Sequence, residues 1–126
     1  MLNHIVKAVA AAVREHVVKR FSRSPQWSKL RKNFLRENPK CKACGSTVSL
    51  QVHHVRPFHI DPALELDHTN LITLCMSKNE CHIRIGHGDN YKAFNPLVRE
   101  HCAFLQIHPA TFETIAIKAK EMRQLL

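Results

Sequence analysis

A chain of 126 residues with a hydrophobic fraction of 44% has room for one compact core and is too apolar for wholesale disorder. No run reaches the roughly 20 apolar residues of a membrane-spanning helix. The nearest approach to a secretory core, residues 5–13, is interrupted by Lys7 and followed by Arg14, Glu15 and His16 instead of small residues. The expectation is a cytoplasmic protein. Its charge is concentrated: Lys19, Arg20, Arg23, Lys29, Arg31, Lys32, Arg36, Lys40 and Lys42 face one acid, Glu37, so this segment carries +8 of the net +9. Such a stripe attracts a polyanion, because phosphates that it neutralises release condensed counterions. Taken alone, it is equally compatible with a solvated helix face.

In chain order, Leu2, Ile5, Val6, Val9, Val13, Val17 and Phe21 recur at spacings of three and four, which predicts an amphipathic helix with one buried face. A second helix is predicted after Ser24 as N-cap, with Pro25 in its first turn. Trp27, Leu30, Phe34 and Leu35 form its apolar stripe, and Asn38-Pro39 ends it. From residue 40 the character changes. Cys44-Gly45 reads as a turn, residues 47–55 as a strand rich in branched side chains, and residues 56–69 as a loop holding Pro57 and Pro62. Residues 70–75 read as a second strand, with a short helix beginning near Asn79. Beyond residue 90, Asn95-Pro96 starts a helix running to about Ile107. His108-Pro109 breaks it, and a last helix runs to Leu126.

Five cysteines in a cytoplasmic chain point to metal more than to disulfides. Cys41 and Cys44 form a CxxC, Cys75 and Cys81 a wider pair, and Cys102 stands apart as a small buried hydrophobe. A stretch this short buries too little apolar surface to hold two strands and a helix together. Four thiolates drawn from both ends would close it around a tetrahedral zinc.

The decisive strings are His53-His54, then Asn70-Leu71-Ile72-Thr73-Leu74-Cys75, then Cys81-His82 and Gly86-His87. Taken with Cys41 and Cys44, they resemble the HNH, or ββα-metal, nuclease family over roughly residues 41–88. The namesake positions are His54, Asn70 and His82. The resemblance implies an α+β fold: a zinc-stapled ββα-metal finger flanked by N-terminal and C-terminal helices. It divides the chain into a basic helical extension over 1–39, the finger over 40–90 and C-terminal helices over 91–126.

The resemblance further implies hydrolysis of DNA phosphodiester bonds, leaving a 5′-phosphate and a 3′-hydroxyl. His54 would be the general base, Asn70 the brace that orients it, and His53, His82 and His87 the ligands of a catalytic divalent cation. That cation would be Mg2+, Mn2+, Ni2+ or Zn2+, and imidazoles favour the transition metals. Cys41, Cys44, Cys75 and Cys81 would hold the structural zinc. Relatives space the second cysteine pair as CxxC, whereas five residues separate Cys75 from Cys81 here, so Cys81 and His82 compete as the fourth ligand. Arg23, Lys29, Arg31, Lys32, Arg36, Arg56 and Arg84 are the expected contacts to duplex DNA. The setting would be a bacterial or phage-infected cell, and a double-strand break would need a homodimer or two successive cuts. The alternatives are a zinc module that binds nucleic acid without cutting it, and a nuclease for RNA or branched DNA.

Two spacings conflict with regular geometry. Neighbours on a strand point to opposite faces, which separates His53 from His54. On an α-helix His82 and His87 would lie about 140° apart, so a shared ligand role requires the helix to end or bulge, as Gly86 would permit.

Overall fold

The computed structural model describes residue 3, residues 5–9 and residues 23–126. Asn3 and residues 5–9 are helical, but Ile5, Val6 and Val9 are exposed, so this part of the expected first helix does not bury its apolar side. Leu2, Val13, Val17 and Phe21 of that pattern lie outside the described residues, as do Lys19 and Arg20 of the basic stripe.

Helix α1 spans Trp27–Glu37. It starts two residues later than the expected start at Pro25, because Ser24 spends its capping groups on a turn. The Ser24 hydroxyl accepts from the Gln26 amide at 3.1 Å, and its carbonyl accepts from the Trp27 amide. The end falls where Asn38-Pro39 requires, with the Asn38 amide closing on the Phe34 carbonyl at 2.8 Å.

Strand β1 (Leu50–His54) pairs antiparallel with β2 (Leu71–Cys75), in a register that sets His53 opposite Ile72 and His54 opposite Leu71. β1 is shorter than the expected 47–55, because Ser49 takes a left-handed conformation (φ 54°) that bends the chain before Leu50. Opposed residues share a face, so the register sorts the ribbon into two sides. One carries Val52 and Leu71, against which Phe34, Trp27, Leu30 and Leu35 of α1 pack. The other carries Ile72 and Leu74, packed against Ile85 and the C-terminal helices.

The short helix expected from Asn79 is instead a π-helical turn over His82–Gly86. After it come β3 (Ala93–Phe94), α2 (Val98–Ile107) and α3 (Phe112–Met122). The Asn95 side chain accepts from the Leu97 amide at 2.9 Å at the start of α2, and Pro109–Thr111 forms a single 3-10 turn between the two helices. The last helix stops at Met122, four residues short of expectation. Gln124–Leu125 form β4, paired with β3 through Ala93↔Leu125 and Phe94↔Gln124. A two-residue strand at a chain end leaves no periodicity to read. Among the described residues, no helix is long and apolar enough to cross a membrane.

Candidate active site

The first cluster is sulfur. Cys41, Cys44, Cys75 and Cys81 bring their Sγ atoms within 4.8 Å of one another, and Cys44 and Cys75 stand 3.6 Å apart. Zinc–sulfur bonds of about 2.3 Å in a tetrahedron place sulfurs about 3.8 Å apart, so the spacing fits a closed zinc site. The chain builds it with a tight knuckle. The Gly45 amide bonds the Cys41 carbonyl at 2.9 Å, Gly45 itself is left-handed at φ 79°, and the Lys42 amide docks on the Thr73 carbonyl of β2. The wider second pair closes because Glu80 turns through φ 48° just before Cys81, while the Ser46 and Ser77 hydroxyls meet at 3.0 Å. Cys81 therefore joins the sulfurs and His82 does not. The hydrogen bond with Cys81 holds Cys41 down to about 5, and the same contact pushes Cys81 up. Cys102 is buried in the same apolar cluster but outside this set, and burial raises its thiol to about 12.

The second cluster is imidazole. His53, His82 and His87 place ligand atoms within 4.8 Å of one another. Each outer ring is oriented by an acceptor on its far side: His82 Nδ1 bonds Gln51 Oε1 at 2.5 Å, and His87 Nδ1 bonds the Ala93 carbonyl at 2.7 Å. Both acceptors require a proton on Nδ1, which leaves both Nε2 atoms as bare lone pairs. Those atoms face each other at 3.2 Å. The third ring, His53, is 1% exposed, and its Nε2 is buried without a hydrogen-bond partner. Lone pairs converging in this way are unfavourable unless a cation lies between them. Outward N–H groups held by carbonyls are how metal-binding histidines are usually fixed. Burial foremost, then the neighbouring rings, holds His53 well below its ordinary pKa; burial likewise takes His82 down to about 4 and lowers His87. All three are neutral near pH 7, the form that ligates.

The π-helical turn brings His82 and His87 together, since hydrogen bonding to the fifth residue sets positions five apart one above the other. Asn95, fully buried, stabilises it: its amide donates to the Gly86 carbonyl and its side chain to the Ile85 carbonyl, both at 2.9 Å. Gly86 serves the turn by lacking a side chain. A Cβ there would stand 3.0 Å from His53 Nδ1, His53 Cε1 and Leu74 Cδ1. Gly86→Ala is therefore expected to displace the His53 ring and weaken metal binding by roughly 10–100-fold. Calorimetric titration with Ni2+ measures this, and an unchanged affinity would show that the pocket yields freely.

His54 is not in that cluster. It ends β1 and points to the α1 side, where its ring lies 4.5 Å from the Trp27 ring and its Nε2 bonds the Glu65 carbonyl at 3.0 Å. A carbonyl only accepts, so Nε2 carries the proton and Nδ1 holds the lone pair. Burial lowers its pKa. Asn70 is buried and grips the intervening loop at its start and its middle: Oδ1 accepts from the Arg56 amide at 2.8 Å, and Nδ2 donates to the carbonyls of Arg56 and Leu64. Its side chain makes no hydrogen bond to His54, whose Nε2 bonds the Glu65 carbonyl instead. A family model described as HNH endonuclease matches residues 41–88. This segment is an HNH domain. No curated protein and no solved structure matches the chain. The domain supports a nuclease-type function.

Around the HNH domain, the basic residues divide by what already holds them. Arg84 is paired with both carboxylate oxygens of Glu113 and lies over the Phe112 ring, Arg23 is bonded to Glu65, and Arg56 stands 4.0 Å from Asp61. Among the described residues, Lys29, Arg31, Lys32 and Arg36 of α1 make no ion pair. Lys29, Lys32 and Arg36 are exposed at spacings of three and four, which puts them on one face. Other polar residues of the loop between the strands have local roles. Asp67 accepts from Thr69, His68 meets Phe34 edge-on, and His59 lies against Phe58. Sequence reasoning passed over Gln51, Glu65, Asn95 and the Ala93 carbonyl. Three of them work through a backbone group, and no residue-type pattern announces that.

Proposed function

We propose that the chain is an HNH endonuclease that hydrolyses DNA phosphodiester bonds, with a divalent cation at His53, His82 and His87 and with His54 as general base. The supporting observation is the pair of Nε2 lone pairs facing each other at 3.2 Å beside the unpartnered Nε2 of His53. Three imidazoles leave the fourth position of a tetrahedral cation free for water or phosphate, unlike a closed four-ligand structural site. When bound, the cation would polarise the scissile phosphate and stabilise the departing oxygen. His54 Nδ1 takes a proton from water as the water oxygen attacks phosphorus, and the bond to the 3′-oxygen breaks. The two rings lie on opposite sides of β1, so a substrate phosphate shared by both would have to sit at the strand's end, next to the last residue of β1. Asn70 keeps the loop closed over that end. Cys41, Cys44, Cys75 and Cys81 hold the structural zinc.

DNA engagement rests on α1. If Lys29, Lys32 and Arg36 each neutralise a phosphate, replacing all three with alanine lowers the slope of log K against log salt by roughly 2.7, at about 0.9 per contact. Fluorescence anisotropy with a duplex measures it, and an unchanged slope would remove α1 from the interface. The direct test of function is a plasmid gel run with Mg2+, Mn2+, Ni2+ and Zn2+ and with a chelator, alongside RNA and branched DNA competitors. Nicking that needs a divalent ion and favours duplex DNA is the expected result. An inactive protein across all the metals would overturn the reading, and preference for RNA would reassign the substrate.

A further inference from the structure

The loop between the two strands carries a buried carboxylate that the chemistry above does not use. Glu65 is 4% exposed, yet its side chain is fully engaged: Oε2 accepts from Arg23 Nη1 at 3.0 Å and Oε1 from the Ser24 amide at 2.9 Å. Arg23 is itself seated, its guanidinium 4.6 Å from the centre of the Phe58 ring and 5.5 Å from that of Trp27. The Glu65 main-chain carbonyl accepts from His54 Nε2, and the Trp27 ring lies against the imidazole. One residue thus grips the chain ahead of α1 with its side chain and the candidate base with its backbone. Burying a carboxylate is costly unless its partners are in place, so the arrangement is rigid only as a whole.

We propose that Glu65 is a positioning residue for His54: its carboxylate, clamped by Arg23 and the Ser24 amide, fixes its own carbonyl where that carbonyl keeps the proton on His54 Nε2 and leaves Nδ1 open towards water. Trp27 is the backstop that sets the tilt of the ring. The inference rests on the reading of His54 as the base. It also makes residues 23–27 part of the catalytic apparatus, not only a basic extension that attracts DNA. Arg23, counted from sequence as a phosphate contact, becomes a structural cation in this arrangement. Asn70 anchors the same loop one residue earlier, through the Leu64 carbonyl at 3.3 Å, so the segment that carries the Glu65 carbonyl is held at two neighbouring residues.

The test compares wild type, Glu65→Gln, Glu65→Ala and His54→Ala in the full chain, by nitrogen NMR of the histidine rings and by cleavage kinetics on plasmid. In wild type His54 should be held as the Nε2–H tautomer. In Glu65→Ala the tautomers should mix, with kcat falling by about 10–100-fold and KM within about twofold, since substrate contacts lie elsewhere. Glu65→Gln keeps the shape and one acceptor, so it should fall between the two, and it serves if the alanine variant does not fold. An unchanged tautomer together with an unchanged kcat in both Glu65 variants would overturn the proposal while leaving the base assignment standing. Full activity in His54→Ala would instead remove the base assignment, and the positioning role with it.

Discussion

Alanine at His54 is expected to lower the rate of DNA cleavage by about 10²–10⁴-fold, the usual contribution of a positioned general base. Zinc content, fold and duplex affinity should stay near wild type. The separation follows from where the ring sits. His54 lies at the last position of β1, outside both the sulfur cluster and the imidazole cluster, so its loss removes neither metal position. Its Nε2 satisfies one carbonyl that water can reach once the ring is gone, and its Nδ1 makes no hydrogen bond among the described residues. The loss should appear in kcat and kcat/KM alike, as for an interaction made only in the transition state. A His82→Ala variant should differ, losing activity together with metal affinity. Cleavage by His54→Ala at the wild-type rate would mean that water is activated elsewhere.

Serine at Cys75 or Cys41 is expected to abolish zinc retention and unfold the HNH domain under conditions where wild type is stable. The free energy of a structural zinc in a small domain is on the order of 10 kcal/mol, comparable to or larger than the whole stability of most domains. The sulfurs occupy the place where a larger protein would have core. Cys41, Cys75 and Cys81 are buried in the main apolar cluster, and the knuckle, the end of β2 and the start of the π-helical turn meet at them. Cys102 is the control. It is as buried as Cys41 but outside the sulfur set, so Cys102→Ala should cost only about 1 kcal/mol. Thermal melts with zinc analysis distinguish the cases. A Cys75→Ser variant that melts like wild type would remove the zinc from the account of stability.

Much of this was legible in the sequence where one residue type has one job. The CxxC knuckle, the histidine pair and Asn70 stand out by residue type alone, and Asn38-Pro39 and His108-Pro109 mark where α1 and α2 stop, whereas Ser24-Pro25 misplaces the start of α1 by two residues. Geometry that depends on the backbone was not legible. The five-residue spacing of His82 and His87 looked like an obstacle because α-helical periodicity was the only ruler available. The chain resolves it with a π-helical turn that Asn95 stabilises from beyond the finger. The spacing of Cys75 and Cys81 is resolved by a left-handed Glu80, a conformation few non-glycine residues adopt. The orienting partner of His54 could not be read either, because a carbonyl has no sequence signature. The alternation that separates His53 from His54 holds in the structure, and it puts the two rings on opposite sides of the ribbon.

The most direct test is the count and place of bound metal. Anomalous diffraction from crystals of the full chain soaked in Ni2+, combined with elemental analysis, should show zinc bound by Cys41, Cys44, Cys75 and Cys81. A second, exchangeable ion should be bound by the Nε2 atoms of His53, His82 and His87. A single ion per chain, with the three imidazoles empty at saturating metal, would contradict the two-metal architecture and the nuclease mechanism built on it.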